Sequence, residues 1–335
     1  MEDIRMCRDN LHTHQNVLQY LQKRRNAPVN VLVPDYYARF KCLMGACRHT
    51  CCAGWEIGVD EESAGRYLAL PGPMGDRIRS HMAESEGQYT FRLTKDERCP
   101  FLRDDGLCDM IVHLGEESLC HICADHPRYR NHFSTFTEMG LGLCCEAAAH
   151  LILKNTLPVH FVALESSADL KPDEDEQALL DARKAWMDIA CDQGLSIHEK
   201  LAELESDLYA PLPDVSALLP HLKELERLDD AWTDMLTLTE KDPRQDLPPS
   251  FDQMLSQLLQ YLLMRHVPAA LWDGDMEGKL AFCICLCRLL SRMGGAVLNK
   301  NGTFTADDFC DLCRMYSAEI EYSDENLDAL YSLFM

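Results

Sequence analysis

The sequence predicts a mainly α protein: a cysteine-rich, metal-binding N-terminal domain with a small β-hairpin, followed by a helical bundle. Three observations carry this expectation. Eleven of the 17 cysteines fall within the first 150 of 335 residues. Beyond residue 176, apolar side chains recur three and four apart between prolines, the period of helices packed by one face. Strands do not alternate with helices in the manner that builds a parallel sheet, and no repeat of fixed period is present.

Taken in order, residues 5–26 carry Leu11, Val17, Leu18 and Leu21 at helical spacing. They end in Lys23, Arg24 and Arg25, the sign that suits a helix C-terminus, before Pro28. A short extended piece, 29–33, leads to FKCLMGACRHTCCAG at 40–54. There Cys42, Cys47, Cys51 and Cys52 lie around Gly45 and Gly54. Neither helical spacing nor alternation explains four thiols in eleven residues, so a loop folded about a metal is expected. Asp60 is placed to cap a helix that Pro71-Gly72-Pro73 ends, and a second short helix is expected around 77–82. Tyr89, Phe91 and Leu93 alternate with polar residues and read as a strand, half of the small hairpin.

The next thiols are Cys99 and Cys108, on the two arms of a tight Asp104-Asp105-Gly106 turn, and then Cys120 and Cys123, three apart on one helix face. Cys144 and Cys145 open an apolar run. The polar, acidic stretch 165–176 marks a boundary, giving a helical extension at 1–28, the cysteine-rich domain at 29–164 and an acidic helical domain at 173–335. Helices are expected at 176–192, 197–208, 215–238, 251–266, 276–293, 305–317 and 324–333.

Composition limits function. A chain that is 47% hydrophobic buries a sizeable core. Its net charge of −23 argues against nucleic acid, whose phosphates need Lys and Arg. Basic residues number 17 against 21 acidic up to His150 and 15 against 34 beyond it, an asymmetry that suits a lysine-rich partner or simply solvated acidic helices. A polar N-terminus and many unpaired-looking cysteines point to a reducing cytoplasm. The most apolar piece, 280–290, is too short to cross a membrane, so no membrane association is expected.

Thiolates select zinc, Cu(I) or iron–sulfur clusters, and four suffice for a zinc site or a [4Fe-4S] cluster. Paired C-x2-C arms are typical of zinc, and only Cys120 and Cys123 have that form, which favours iron–sulfur with zinc as the alternative. The candidate ligands are Cys42, Cys47, Cys51, Cys52, Cys99, Cys108, Cys120, Cys123 and Cys144, more than one cluster needs. Adjacent Cys51 and Cys52 seldom bind one ion. Cys7, Cys145, Cys191, Cys283, Cys285, Cys287, Cys310 and Cys313 read as core. His121, His126 and His132 stand near the thiols and read as hydrogen-bonded rather than ligating. No P-loop, G-x-S-x-G, H-E-x-x-H or G-x-G-x-x-G motif is present.

Six fragments in order, LVPDYYARFKCLMGACRHTCCAGWEIGVDEES, CPFL, GLCDMIVHLGEESLCHICADHPR, LGLCCEAAAHLIL, LWDGD and YSAEIEYSDENLDAL, resemble the flagellin lysine N-methylase family, within a broader group of cysteine-cluster proteins that chelate zinc or iron. The likeness runs from about residue 32 to the C-terminus. It implies methyl transfer from S-adenosylmethionine to lysine side chains of flagellin by an iron–sulfur protein, and the nine cysteines above match the family pattern. Cys145 departs from it, standing where proline is expected, as does His126, where an aromatic residue usually precedes Pro127. The C-x3-C-x2-C signature of radical enzymes is absent, since Gly54 stands three residues after Cys51. A lysine must shed its proton before its nitrogen attacks. The carboxylates considered for this step are Asp273, Asp275, Glu319 and Glu321, with Tyr322 beside them, and helix capping or solvated charge is the competing account of each. The alternative function is a non-enzymatic zinc- or iron–sulfur-binding or delivery module with a helical partner-binding half.

Overall fold

A computed structural model describes residues 30–165, 171–242 and 246–335. The helix expected at 5–26 and Cys7 lie outside the described residues. The protein is mainly α, with two small sheets.

The first sheet orders its strands β5-β6-β1-β7, with β1 Asn30–Pro34 parallel to β6 Phe136–Leu141, and β5 Arg128–His132 and β7 Phe161–Glu165 antiparallel to their neighbours. The sequence suggested only an extended piece at 29–33, and the parallel pair was not expected. The physical reason lies in β6. Nearly every residue of FTEMGL is buried, so both faces are covered and alternation disappears. Its Glu138 is only 3% exposed and is held by Arg183, 45 residues away.

The second sheet is β2 Ile57–Val59, β4 Gln88–Phe91 and β3 Met82–Ser85, with β4 central. The strand read from Tyr89 and Phe91 is β4. Its hairpin with β3 turns through Glu86 and Gly87, both at positive φ (52° and 81°), as a tight turn between twisted strands requires. Asp60 caps α1 Glu61–Ala69 by accepting from the Ser63 N–H, and Pro71-Gly72-Pro73 both separates it from α2 Gly72–His81 and opens that helix. Short helices α3 Asp109–Leu114 and α4 His121–Asp125 follow. These pieces bury a small core of their own: Ile57, Val59, Tyr67, Ile78, Phe91, Phe101 and Met110.

The larger core joins the four-stranded sheet to the helices: α5 Glu146–Leu153, α6 Glu174–Cys191, α7 Ile197–Glu205, α8 Leu218–Glu224, α9 Asp230–Lys241, α10 Asp252–His266, α11 Ala270–Asp273, α12 Met276–Asn301, α13 Ala306–Tyr316 and α14 Asp324–Tyr331. Three begin with reciprocal capping boxes, Asp173/Glu176, Ser196/Glu199 and Thr305/Asp308. The helix expected over 215–238 is two, because Asp229 caps α9 afresh after the Leu225 break. Helix α10 is buried on nearly all sides and packs against α5, α6, α7 and α12. Helix α12 corrects the sequence reading: it is long and apolar enough to cross a membrane by length and composition. In the fold, 83% of its apolar window is covered by protein. Cys283, Cys285, Cys287, Cys310 and Cys313 are core, as expected.

Candidate metal centre

The cysteine loop is held in place from two directions. Gly45 lies against Gly106, and a Cβ on Gly45 would stand 2.7 Å from the Asp105 carbonyl, so glycine is what lets the loop approach the Asp104-Gly106 turn this closely. From the other side Glu146, at the start of α5, accepts from the Arg48 N–H (2.8 Å), the Arg48 Nε (3.0 Å) and the His49 N–H (3.4 Å). Burial would raise the Glu146 pKa, but the Arg48 side chain and these backbone donors lower it below the usual carboxylate range. Glu146→Ala is expected to destabilise the protein by about 1–3 kcal/mol through loss of these bonds. Urea unfolding checks this, and an unchanged midpoint would remove the clamp.

The thiols fall into two groups. Cys47 is pushed up to about 11, by burial first and then by Cys145, Cys42 and Glu146 as its charged neighbours; Cys51 has Cys52, Cys145 and Cys42 as its own. On the other side Cys99 and Cys108 both have Cys52 as an electrostatic neighbour, and Cys123 has Cys120, Cys52 and Cys99. The backbone ties this second group together. The Cys52 carbonyl accepts from the Cys99 N–H (2.8 Å), and the arms carrying Cys99 and Cys108 are joined from Asp109 N to the Phe101 carbonyl (2.8 Å). Asp60, besides capping α1, accepts from the His121 N–H (2.8 Å), which brings the Cys120–Cys123 turn alongside.

Several sulfurs accept backbone N–H bonds of the kind that stabilise a thiolate. Cys42 accepts from Met44 (3.3 Å), Cys99 from Phe101 and Leu102, Cys108 from Met110 and Ile111, Cys120 from Cys123, and Cys145 from Ala147 and Ala148 at the start of α5. Core Cys287 instead donates, to the Leu255 carbonyl. In each close pair one thiol donates to the other: Cys51 to Cys52, which is lowered to about 7, and Cys123 to Cys120, which is also lowered. Burial pushes Cys99 up to about 12 and raises Cys108 and Cys145. Such thiols are neutral without a cation and ionise when a metal binds. Among the described residues no three Cys, His, Asp or Glu side chains already converge on one ion-sized point. The donor chemistry fits a thiolate-bound metal, and side-chain rotation would have to close the sites.

Cys144 stands apart. It is buried beside the Tyr322 hydroxyl and Arg265, with burial raising its pKa strongly, whereas Cys145 faces the loop. Gly142 permits this arrangement, because a Cβ there would collide with the Tyr322 hydroxyl.

The carboxylates divide as well. Asp275 caps α12 by accepting from Gly278 N (2.9 Å), and Asp273 pairs with Lys279. Glu319 accepts from Leu228 N (2.8 Å) and Asp229 N (2.9 Å), securing the start of α9. These three have structural work. Glu321 lies on a π-helical turn, Ser317–Glu321, and is filled by Tyr261 (2.6 Å), His266 (2.9 Å), Ser317 and Arg265. Tyr322 donates to the Pro127 carbonyl (3.2 Å). Sequence reasoning gave little weight to His126 and none to Trp55. Their rings and that of Tyr322 meet edge-on or tilted with centroids 5.5–6.5 Å apart, and His126 Nε2 is buried without a partner among the described residues. The one signal available was position, Trp55 just after the cysteine loop and His126 just after Cys123.

Two cavities, of about 270 and 360 Å³, lie in the helical part. They are lined by groups such as Lys200 and Gln257, and Arg288 and Asp214, and neither touches the thiol groups of the cysteine loop.

The fold and site together describe a mainly α protein whose N-terminal loops are rich in candidate thiolate ligands. Against known proteins, the chain is 26% identical over 215 residues to a protein named Lysine-N-methylase from Salmonella typhimurium, which covers 61% of this chain and 50% of that one. Its similarity to the protein of the same name from Salmonella choleraesuis has the same extent. It is 28% identical over 138 residues to the flagellar biosynthetic protein FliU of Salmonella muenchen, covering 38% of this chain and 79% of that one. The chain thus spans about half the length of the lysine-N-methylases it matches. No family model matches, and no solved structure does.

Proposed function

We propose that this chain is a cytoplasmic protein-lysine N-methyltransferase acting on a flagellar protein, flagellin itself, with S-adenosylmethionine as methyl donor and a thiol-bound [4Fe-4S] cluster, zinc being the alternative metal. The observation that carries this reading is the similarity to proteins named lysine-N-methylase and to a flagellar biosynthetic protein. In the reaction the lysine nitrogen attacks the methyl carbon, the carbon–sulfur bond of the sulfonium breaks, and the nitrogen gives up a proton.

The residues suited to receive the amine are Trp55, Tyr322 and His126. Two ring faces attract an ammonium. Burial lowers the His126 pKa to about 4, so its ring is neutral near pH 7, and in the tautomer protonated at Nδ1 the unpartnered Nε2 is able to accept an N–H. Glu321, its oxygens already filled, shapes the site rather than taking the proton. The thiol-bound metal would tie the loops together, and with four thiolates around it the centre would carry a net negative charge.

Incubation of flagellin with the full chain and S-adenosylmethionine should give mass increments of about 14 Da per methyl group on lysine-containing peptides, one hydrogen being replaced by CH₃ at each transfer. Unmodified flagellin would reject the enzyme. A metal-loaded but inactive protein would favour a metal-binding or delivery module.

A further inference from the structure

We infer that the thiols form two metal centres set back to back. The first takes Cys42, Cys47, Cys51 and Cys145; the second is drawn from Cys52, Cys99, Cys108, Cys120 and Cys123. Adjacent residues Cys51 and Cys52 belong to different centres, and Cys144 belongs to neither. This rests on the reading that the thiols hold metal, and not on the methylation reaction.

The division follows from what each sulfur faces. Beyond its bond to Cys52, Cys51 has Cys145 and Cys42 as thiol neighbours. Cys52 is the neighbour shared by Cys99, Cys108 and Cys123. Cys51 and Cys52 stand in a turn with the Cys51 thiol donating to Cys52, so this pair is where the two groups of sulfurs meet. Each group also has its own scaffold. The first is pinned by the three bonds from Arg48 and His49 to Glu146, which follows Cys145 directly. The second is pinned by the Cys52–Cys99 and Phe101–Asp109 backbone bonds and by the Asp60–His121 bond.

Each group contains sulfurs already supplied with backbone donors, Cys42 and Cys145 in the first, Cys99, Cys108 and Cys120 in the second. Cys145 also stands at the N-terminal end of α5, where peptide dipoles favour a thiolate. The backbone N–H bonds of Ala147 and Ala148 to its sulfur, and its position beside Cys42 and Cys47, are the independent reasons for placing it in the first centre. Cys144 is one residue out of phase and turned into the protein against Tyr322. Four thiolates on one side and five on the other are enough for two tetrahedral zinc ions or two four-iron clusters.

The test uses the full-length chain purified anaerobically. Metal and sulfide per chain are measured, and thiol accessibility is followed by alkylation and mass spectrometry during stepwise chelation. Metal for two centres is expected, as two zinc ions or two four-iron clusters, with Cys42, Cys47, Cys51 and Cys145 losing protection together and Cys52, Cys99, Cys108, Cys120 and Cys123 losing it together in a separate step. Cys144 should not change with chelation. Loss of protection by all nine in one step, or metal for a single centre (one zinc ion or one four-iron cluster), would overturn the division while leaving metal binding intact. A protein with no metal and no chelator-dependent protection would overturn metal binding as well. Cys51→Ser and Cys145→Ser should each lose about half of the metal, Cys52→Ser should lose the other half, and Cys144→Ala should keep all of it. The wild-type chelation series decides the matter if any variant fails to fold.

Discussion

Replacing Arg183 with methionine is expected to destabilise the fold by about 3–5 kcal/mol, the range for removing one partner of a buried ion pair. Arg183, on α6, is 5% exposed and Glu138, on β6, is 3% exposed. Two parallel hydrogen bonds join them, Nη1 to Oε2 at 2.7 Å and Nη2 to Oε1. The guanidinium is further flanked by the rings of Phe133 and Phe161, at 5.9 and 5.5 Å. Methionine keeps much of the volume and loses all the donors, so the Glu138 carboxylate would remain at the centre of the sheet, opposite Leu32 and Asn131, without a counter-charge. The double variant Glu138→Leu/Arg183→Met removes both charges and should recover most of the loss, since a well-packed apolar pair often matches a buried ion pair. Urea unfolding of the two single variants and the double variant gives the coupling directly. If Arg183→Met shifts the midpoint no more than a surface substitution does, the pair does not hold α6 on the sheet.

That pair also shows what a sequence conceals. Helix starts were legible because their signals are local: Asp60 caps α1 and Asp275 caps α12 within three residues of their targets. The hairpin at Tyr89 was legible for the same reason. Strand β6 was not, because Glu138 reads as a polar interruption until Arg183 is known to face it. In the site, local spacing identified the thiols but could not orient them. Cys51 and Cys52 are adjacent in the chain and hydrogen-bonded to each other, yet the further thiol neighbours of one are Cys42 and Cys145 and those of the other Cys99 and Cys108. The choice between Cys144 and Cys145 depends on where α5 begins and on the Gly142–Tyr322 contact, which brings together residues 180 positions apart. The DGD motif was read as a candidate site with capping as its competitor, and capping is what Asp275 does.

Glu321→Gln is expected to lower stability by about 3–5 kcal/mol near neutral pH, because the isostere leaves the buried Arg265 guanidinium without its anion. The carboxylate is held by donors from separate parts of the chain. Tyr261 and Ser317 donate through their hydroxyls, and Arg265 reaches Oε2 through Nε at 3.5 Å. Burial lowers the His266 pKa, and the neutral ring fits both its partners: Nε2–H donates to Glu321, while Nδ1 accepts from Tyr331 at 2.7 Å. Burial alone would raise the Glu321 pKa, but Arg265 and the bonds from His266 and Ser317 outweigh it and lower it to about 2. A carboxyl with a depressed folded pKa contributes stability that is present above its unfolded pKa, near 4.5, and is lost as pH falls toward 2. That shift corresponds to about 3 kcal/mol, in line with the ion-pair estimate. The wild-type advantage over Glu321→Gln should therefore be constant above about pH 4.5 and shrink steadily below it, as the wild-type carboxyl becomes the neutral group that glutamine imitates. Denaturant unfolding at a series of pH values measures this difference, and a gap that persists unchanged at low pH would show that Glu321 acts through shape rather than charge. The consequence reaches the site through Tyr261. Its hydroxyl accepts from the Leu143 N–H (3.3 Å) while donating to Glu321, so the carboxylate orients the acceptor that fixes the backbone immediately before Cys144 and Cys145.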